Sequence, residues 1–159
     1  MQLYIKQKAL SWRCRFSVLD SGGQPRWFAE GEFFSFTHKL HVYNAAGNEV
    51  AVVYRENWTF LTQQYHIELV SGQHFMLVKE FAFFRNKFHL EGLPWRMDGD
   101  FFAHDYSMYD NVSEIMHISK KWFTWGDSYV LDVPNPANEL ICLCIMLAVD
   151  NMVEDASNH

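Results

Sequence analysis

Ten consecutive residues near the end of the chain, Leu140 to Val149 within ELICLCIMLAVDNM, carry no polar side chain. A segment with no face for water has to lie inside something. The residues before it predict a helix: Asn135 can cap it, Pro136 suits its first position, and Glu139 falls in its first turn. The helix is expected over about 136–152, with a disordered polar tail at 154–159. Ten residues at ~1.5 Å each cover roughly half of a ~30 Å hydrocarbon core, so burial in protein is expected, with no transmembrane segment.

The rest of the chain supplies the surroundings. Apolar and polar residues alternate at Phe16 and Val18, Leu40 and Val42, Tyr65 to Leu69, Phe88 and Leu90, Tyr106 and Met108, and Tyr129 to Val133. These anchors begin 24, 25, 23, 18 and 23 residues apart, a spacing that suits a two-stranded unit. Turn residues follow the first strand of most units, at Asp20-Ser21-Gly22-Gly23, Asn44 to Gly47, Ser71-Gly72, Leu93-Pro94 and Asp110-Asn111. Each unit then closes on an aromatic cluster: GEFFSFT, ENWTFLT, KEFAFFR, GDFFAHD and KKWFTWG.

One opening strand, five two-stranded units and a last strand make twelve, spread over about 2–133. With strands ~4.8 Å apart and tilted ~40°, a twelve-stranded cylinder has a backbone diameter of roughly 24 Å. Inward side chains of about 5 Å at each wall leave ~14 Å, close to the ~10–12 Å width of a helix. The expected fold is therefore mainly β: a closed antiparallel barrel of repeated hairpins, plugged by the C-terminal helix. The rival, a two-sheet sandwich with the helix across one face, leaves part of the apolar run exposed.

A chain of 159 residues with no linker is read as a single domain, 1–159. Its 14 Phe, 7 Tyr and 6 Trp against 4 Pro favour a sheet-rich interior. The net charge of −6 argues against nucleic acid as a partner. Three cysteines, Cys14, Cys142 and Cys144, form no disulfide framework, and the start MQLYIKQKALSW has no signal-peptide run, so a cytoplasmic location is expected.

YIKQKALSW, GEFFSFTHKLHVYNAAGNEVA, ISKKWFTWGDSYVLDV and the apolar helix ending in Val149-Asp150 together resemble the LURP-one-related family. Its fold is similar to the tubby C-terminal domain and to phospholipid scramblases. The resemblance runs over nearly the whole chain and implies a twelve-stranded barrel around a central hydrophobic helix. Its functional implication is thin: tubby-type domains bind phosphoinositide head groups through basic side chains, and scramblases move lipids. No tubby motif transfers a binding residue by position.

His41, His66 and His89 recur one residue after successive anchors, but equivalent positions lie two strands apart, roughly 10 Å, too far to share a zinc ion. A solvent-facing polar row is expected. Cys142 and Cys144 point to nearly opposite sides of a helix and read as core. Asp98, Asp100, Asp105 and Asp110 lack the glycine and glutamate of a calcium loop and read as turn solvation. No nucleophile elbow, Walker sequence or zinc-protease motif occurs, so neither catalytic residues, a metal nor a cofactor is expected.

The basic residues carry the functional expectation. Arg85 and Lys87 flank a turn beside Phe83 and Phe84, and Lys120 and Lys121 precede Trp122. Cations beside aromatics can hold a phosphorylated head group at a water interface; the plain alternative is that the lysines guard strand ends while the aromatics face inward. The expected function is a non-enzymatic binding module for a lipid head group or other phosphorylated ligand. The alternatives are a scaffold whose outer surface meets a protein partner, and an enzyme with a dispersed site.

Overall fold

The computed structural model of the chain describes residues 1–8, 13–32, 38–56, 62–80, 87–123 and 126–157. Period-two alternation yields strands where the anchors stand. After β1 (Gln2–Lys8) come β2 (Arg13–Leu19) and β3 (Pro25–Glu32), then β4 (Leu40–Asn44) and β5 (Glu49–Arg55). β6 (Thr62–Leu69) and β7 (His74–Glu80) follow, then β8 (Lys87–Glu91) and β9 (Arg96–Asp100). β10 (Asp105–Asp110), β11 (Ser113–Phe123) and β12 (Gly126–Asp132) complete the sheet. One 3-10 turn, Pro136–Asn138, leads into α1 (Glu139–Ser157).

All neighbours pair antiparallel, in the sheet order β8, β7, β6, β5, β4, β3, β2, β1, β12, β11, β10, β9. Chain order and sheet order coincide except where β1 pairs β12, with Leu3 opposite Leu131 and Ile5 opposite Tyr129. The twelve-stranded architecture matches the expectation, but the barrel is nearly closed rather than closed. Among the described residues no hydrogen-bonded ladder joins β8 to β9, the two margins of the sheet. They meet through rings instead: Phe88 lies 4.7 Å from Phe101 and 6.5 Å from Phe102. The physical reason lies in β9, RMDGD, which has little apolar surface to bury and charged residues along an edge. Gly99, at φ 126, lets β9 come close to β10, since a Cβ there would sit 2.6 Å from Asp105 O.

Inward residues of every hairpin meet the helix. Phe16, Val18, Val42, Val53, Ile67, Leu77, Met108 and Ile118 are fully buried, as are Leu143, Ile145, Leu147 and Val149 of α1. The cap forms as the sequence predicts, with Asn135 Oδ1 accepting from Ala137 N at 3.0 Å.

Two expectations about the helix are corrected. α1 continues through Ser157, so Glu154 to Ser157 are helical rather than a disordered tail, and Asp155 is only 3% exposed. Wall contacts on Asp155, described below, hold those turns in place. Second, at 19 residues the helix is about 28 Å long, enough by length and composition to cross a membrane. Its burial inside the sheet, not its length, marks it as a core helix.

Candidate functional site: the rim where the helix ends

Strand direction gives the barrel two unlike rims. Odd-to-even connections (β1 to β2, β3 to β4 and so on) lie at the end where α1 finishes, here the C rim. Even-to-odd turns lie where α1 starts, the N rim. The basic residues follow this division. Ten of the twelve Lys and Arg among the described residues sit in strand halves or connections nearer the C rim; Arg26 and Arg96 are the exceptions. Acids occupy both rims: Asp20, Glu49, Glu68, Glu91, Asp110 and Asp132 surround the N rim, and Glu56, Glu80, Asp100, Asp105 and the acids of the helix end stand among the bases at the C rim.

At the N rim the helix start is clamped. Glu139, 3% exposed, accepts from Arg26 Nε at 3.2 Å and Nη2 at 3.0 Å, and from Trp27 Nε1 at 2.7 Å. Neighbouring strand residues normally point to opposite faces. Here Val18 pairs with Trp27 and Leu19 with Pro25, which makes Arg26 the extra residue of a β-bulge and turns its side chain toward the helix.

At the C rim, α1 carries three acids in its last turns, where the negative end of the helix dipole disfavours them unless cations compensate. The barrel wall provides donors. Asp155 Oδ2 receives Arg55 Nη1 at 2.9 Å and the Tyr65 hydroxyl at 2.6 Å; Oδ1 lies 3.0 Å from His38 Nδ1. Lys79, 4% exposed, stands in the field of the same carboxylate. Parity puts these groups inside: Arg55 shares a face with Ala51 and Val53, Lys79 with Phe75 and Leu77, and Arg55 pairs directly with Tyr65. Burial lowers the Lys79 pKa, against the pull of Asp155, and burial followed by the bond to Asp155 raises that of Tyr65.

On the opposite side of the helix, Asp150 Oδ1 lies 3.1 Å from His104 Nε2 and accepts from the Tyr129 hydroxyl at 3.3 Å. The His104 ring stacks on Tyr129 with centroids 4.6 Å apart. Asp150 Oδ2 and the Tyr106 hydroxyl are buried without a hydrogen-bond partner among the described residues. Glu154 bonds Gln7; burial, then the charge of Asp150, raises its pKa. His38 and His104 both have positive φ, 43 and 54, in a region L residues rarely occupy.

Of the basic residues singled out from sequence, the described ones, Lys87, Lys120 and Lys121, do not form one cluster. Arg85 lies outside the described residues, as do the aromatic stretches at 33–37, 57–61, 81–86 and 124–125. Lys87 opposes Glu80 and is exposed, like Lys121. Lys120 and Lys121 fall on opposite faces of β11: Lys120 opposes the buried Tyr129. Lys87 and Lys121 stand on opposite sides of the sheet margin, on β8 and on β11, with β9 and β10 between them. The histidine row is on the outer face, with a glutamate beside each: His41 with Glu49, His66 with Glu56, His89 with Glu91. Cys142 and Cys144 are buried thiols, and burial pushes Cys142 up to about 12.

Asp155, Arg55 and Lys79 escaped the sequence reading, and Asp150, Tyr65, Tyr106 and Tyr129 entered it only as fold residues, although the signal for a polar site was present. A helix surrounded by protein carries its acids into protein too, and strand parity already puts Arg55 and Lys79 on the inner face.

Comparison with known proteins agrees with this architecture. A family model described as LURP-one-related matches residues 1–150. The chain belongs to the LURP-one-related family. Within reach of that family, it is 30% identical over 150 residues to the uncharacterised protein YxjI of Bacillus subtilis (strain 168), covering 94% of this chain and 92% of that one. The X-ray structure of a protein from Arabidopsis thaliana superposes with a TM-score of 0.58 at 13% identity, covering 94% of this chain and 90% of that one, a likeness of fold. In LURP-one-related terms, the wall donors Arg55, Tyr65 and Lys79 lie in the matched stretch, and Asp155 follows it.

Proposed function

We propose that this LURP-one-related chain is a non-enzymatic binding module of the cytosol that takes a phosphate-bearing ligand, such as a phosphoinositide head group, at its C rim. The observation that carries the reading is the placement of the cations: ten of the twelve described Lys and Arg lie nearer one rim, where they offset the acids there, while the other rim is left acidic. Phe101 and Phe102, the latter 50% exposed, supply apolar surface beside them. An interior occupied by fully buried helix residues favours binding at a rim over a chamber for chemistry. The buried free thiols of Cys142 and Cys144 accord with a reducing compartment.

Co-sedimentation with vesicles with and without phosphoinositides tests it. The wild type is expected to partition preferentially to phosphoinositide vesicles, less so as salt rises. Lys87→Glu/Lys121→Glu is expected to bind roughly tenfold or more weakly, each cation near an anionic surface being worth about 1 kcal/mol. Equal partitioning of both proteins removes the reading.

A protein-interaction role is the second reading, favoured by Val70 and Val112 at N-rim turns, 71% and 93% exposed among acids. Affinity capture of a cytosolic partner that survives Val70→Asp/Val112→Asp argues against that surface.

A further inference from the structure

Arg55, Tyr65 and His38 converge on a single carboxylate, and Lys79 stands in its field. Each offers a donor, the Arg55 guanidinium is permanently charged, and they come from β5, β6, β7 and the approach to β4. Arginine with lysine, hydroxyl and imidazole donors is a set that suits a phosphate at least as well as a carboxylate, since phosphate presents three acceptor oxygens and up to two charges. The carboxylate now in place belongs to the last turn of α1, two residues before Ser157. That turn adds little to the core: Val153, Glu154 and Ala156 are only partly buried, in contrast to Cys142 through Met152.

We propose that His38, Arg55, Tyr65 and Lys79 form an anion site for a phosphate group, and that Asp155 occupies it as a built-in competitor when ligand is absent. The inference rests on the phosphate-binding reading above and deepens it by naming the pocket and its regulation. A ligand phosphate enters as the last turn of α1 unwinds and Asp155 leaves. The wall donors stay in place because strand pairing fixes them: Arg55 against Tyr65, and Lys79 against Gln63. The remainder of the helix stays seated through Asp150 and the apolar turns before it. Affinity is then reduced by the fraction of molecules in which Asp155 has left, commonly about 0.1–10% for such minor states.

Calorimetric titration with soluble inositol trisphosphate and with inorganic phosphate tests the pocket without lipid. Asp155→Ala is expected to bind the trisphosphate roughly tenfold or more tightly than wild type, and adding Arg55→Gln to it is expected to abolish the gain. Asp155→Asn, which keeps the side-chain shape, serves if the alanine variant does not fold. On the wild type, saturating trisphosphate is expected to speed amide exchange at 153–157, because the ligand displaces that turn. Unchanged or weaker trisphosphate affinity in both Asp155 variants, or amides at 153–157 that stay as protected in the ligand complex, overturns the inference. Vesicle binding that depends on Lys87 and Lys121 but ignores Asp155 overturns it while leaving the broader reading intact. Tighter trisphosphate binding by the Asp155 variants, without any vesicle partitioning, supports the pocket and removes only the lipid.

Discussion

His104 Nε2 lies 3.1 Å from Asp150 Oδ1, and the residue that delivers this imidazole has a backbone φ of 54. The contact is therefore made at a conformational cost. His104→Ala loses the contact and keeps the strain, whereas His104→Gly loses the contact and relieves it. We expect the glycine variant to be more stable than the alanine variant by roughly 0.5–1 kcal/mol, the reverse of their usual order inside regular structure. Urea unfolding of the two proteins side by side checks this.

The Arg26 clamp on Glu139 yields a coupling. Arg26→Ala leaves a buried carboxylate with Trp27 alone and is expected to cost about 1–3 kcal/mol, tempered by the partial exposure of the arginine. Adding Glu139→Ala to Arg26→Ala is expected to cost less than the two single losses combined, because the charge left unpaired is gone. A double-mutant cycle in urea measures the difference, and simple additivity would deny the clamp.

Ile145 is fully buried at the middle of α1, with apolar wall on every side. Ile145→Asp puts an unpaired charge there, and the expected loss exceeds about 4 kcal/mol. Recovery of soluble protein with a cooperative melt at pH 7 would contradict it.

Glu154 has its pKa raised by burial first and by the neighbouring Asp150 charge second. A carboxyl with a folded pKa above its unfolded value holds its proton longer when folded, so stability falls as pH rises from the unfolded value through the folded one. Glu154→Gln removes that loss. Its melting temperature is expected to exceed that of wild type at pH 7 by roughly 1–2 °C and to show no such gain at pH 4. Thermal melts at both pH values decide it.

The hairpin pattern was legible because burial on one face forces period two, as at Phe16 and Val18, Leu40 and Val42, and Tyr65 and Ile67; β10 and β12 are less regular, with Ser107 and Val130 buried between their anchors. Less legible was anything decided by partners far apart in the chain. Glu154 to Ser157 look like tail by composition, and become helix because Asp155 finds Arg55 and Tyr65, about a hundred residues earlier. The missing ladder at β8 and β9 was legible in part, since RMDGD puts charges and little apolar surface on an edge, but which two strands meet at the margin depends on how twelve strands close in space. Lys120 and Lys121 are different: strand parity alone separates them, and reading them as a pair ignored it.

Because β1 alone pairs with a strand from the other end of the chain, synthesis and assembly run on different clocks. The meander from β1 through β8 can zip as it leaves the ribosome, each hairpin closing on residues just made. Its greasy concave side then waits, without a filling, until the last twenty or so residues have been translated. A nascent chain stalled before Glu139 is an open trough, and holding such a trough is work for a chaperone.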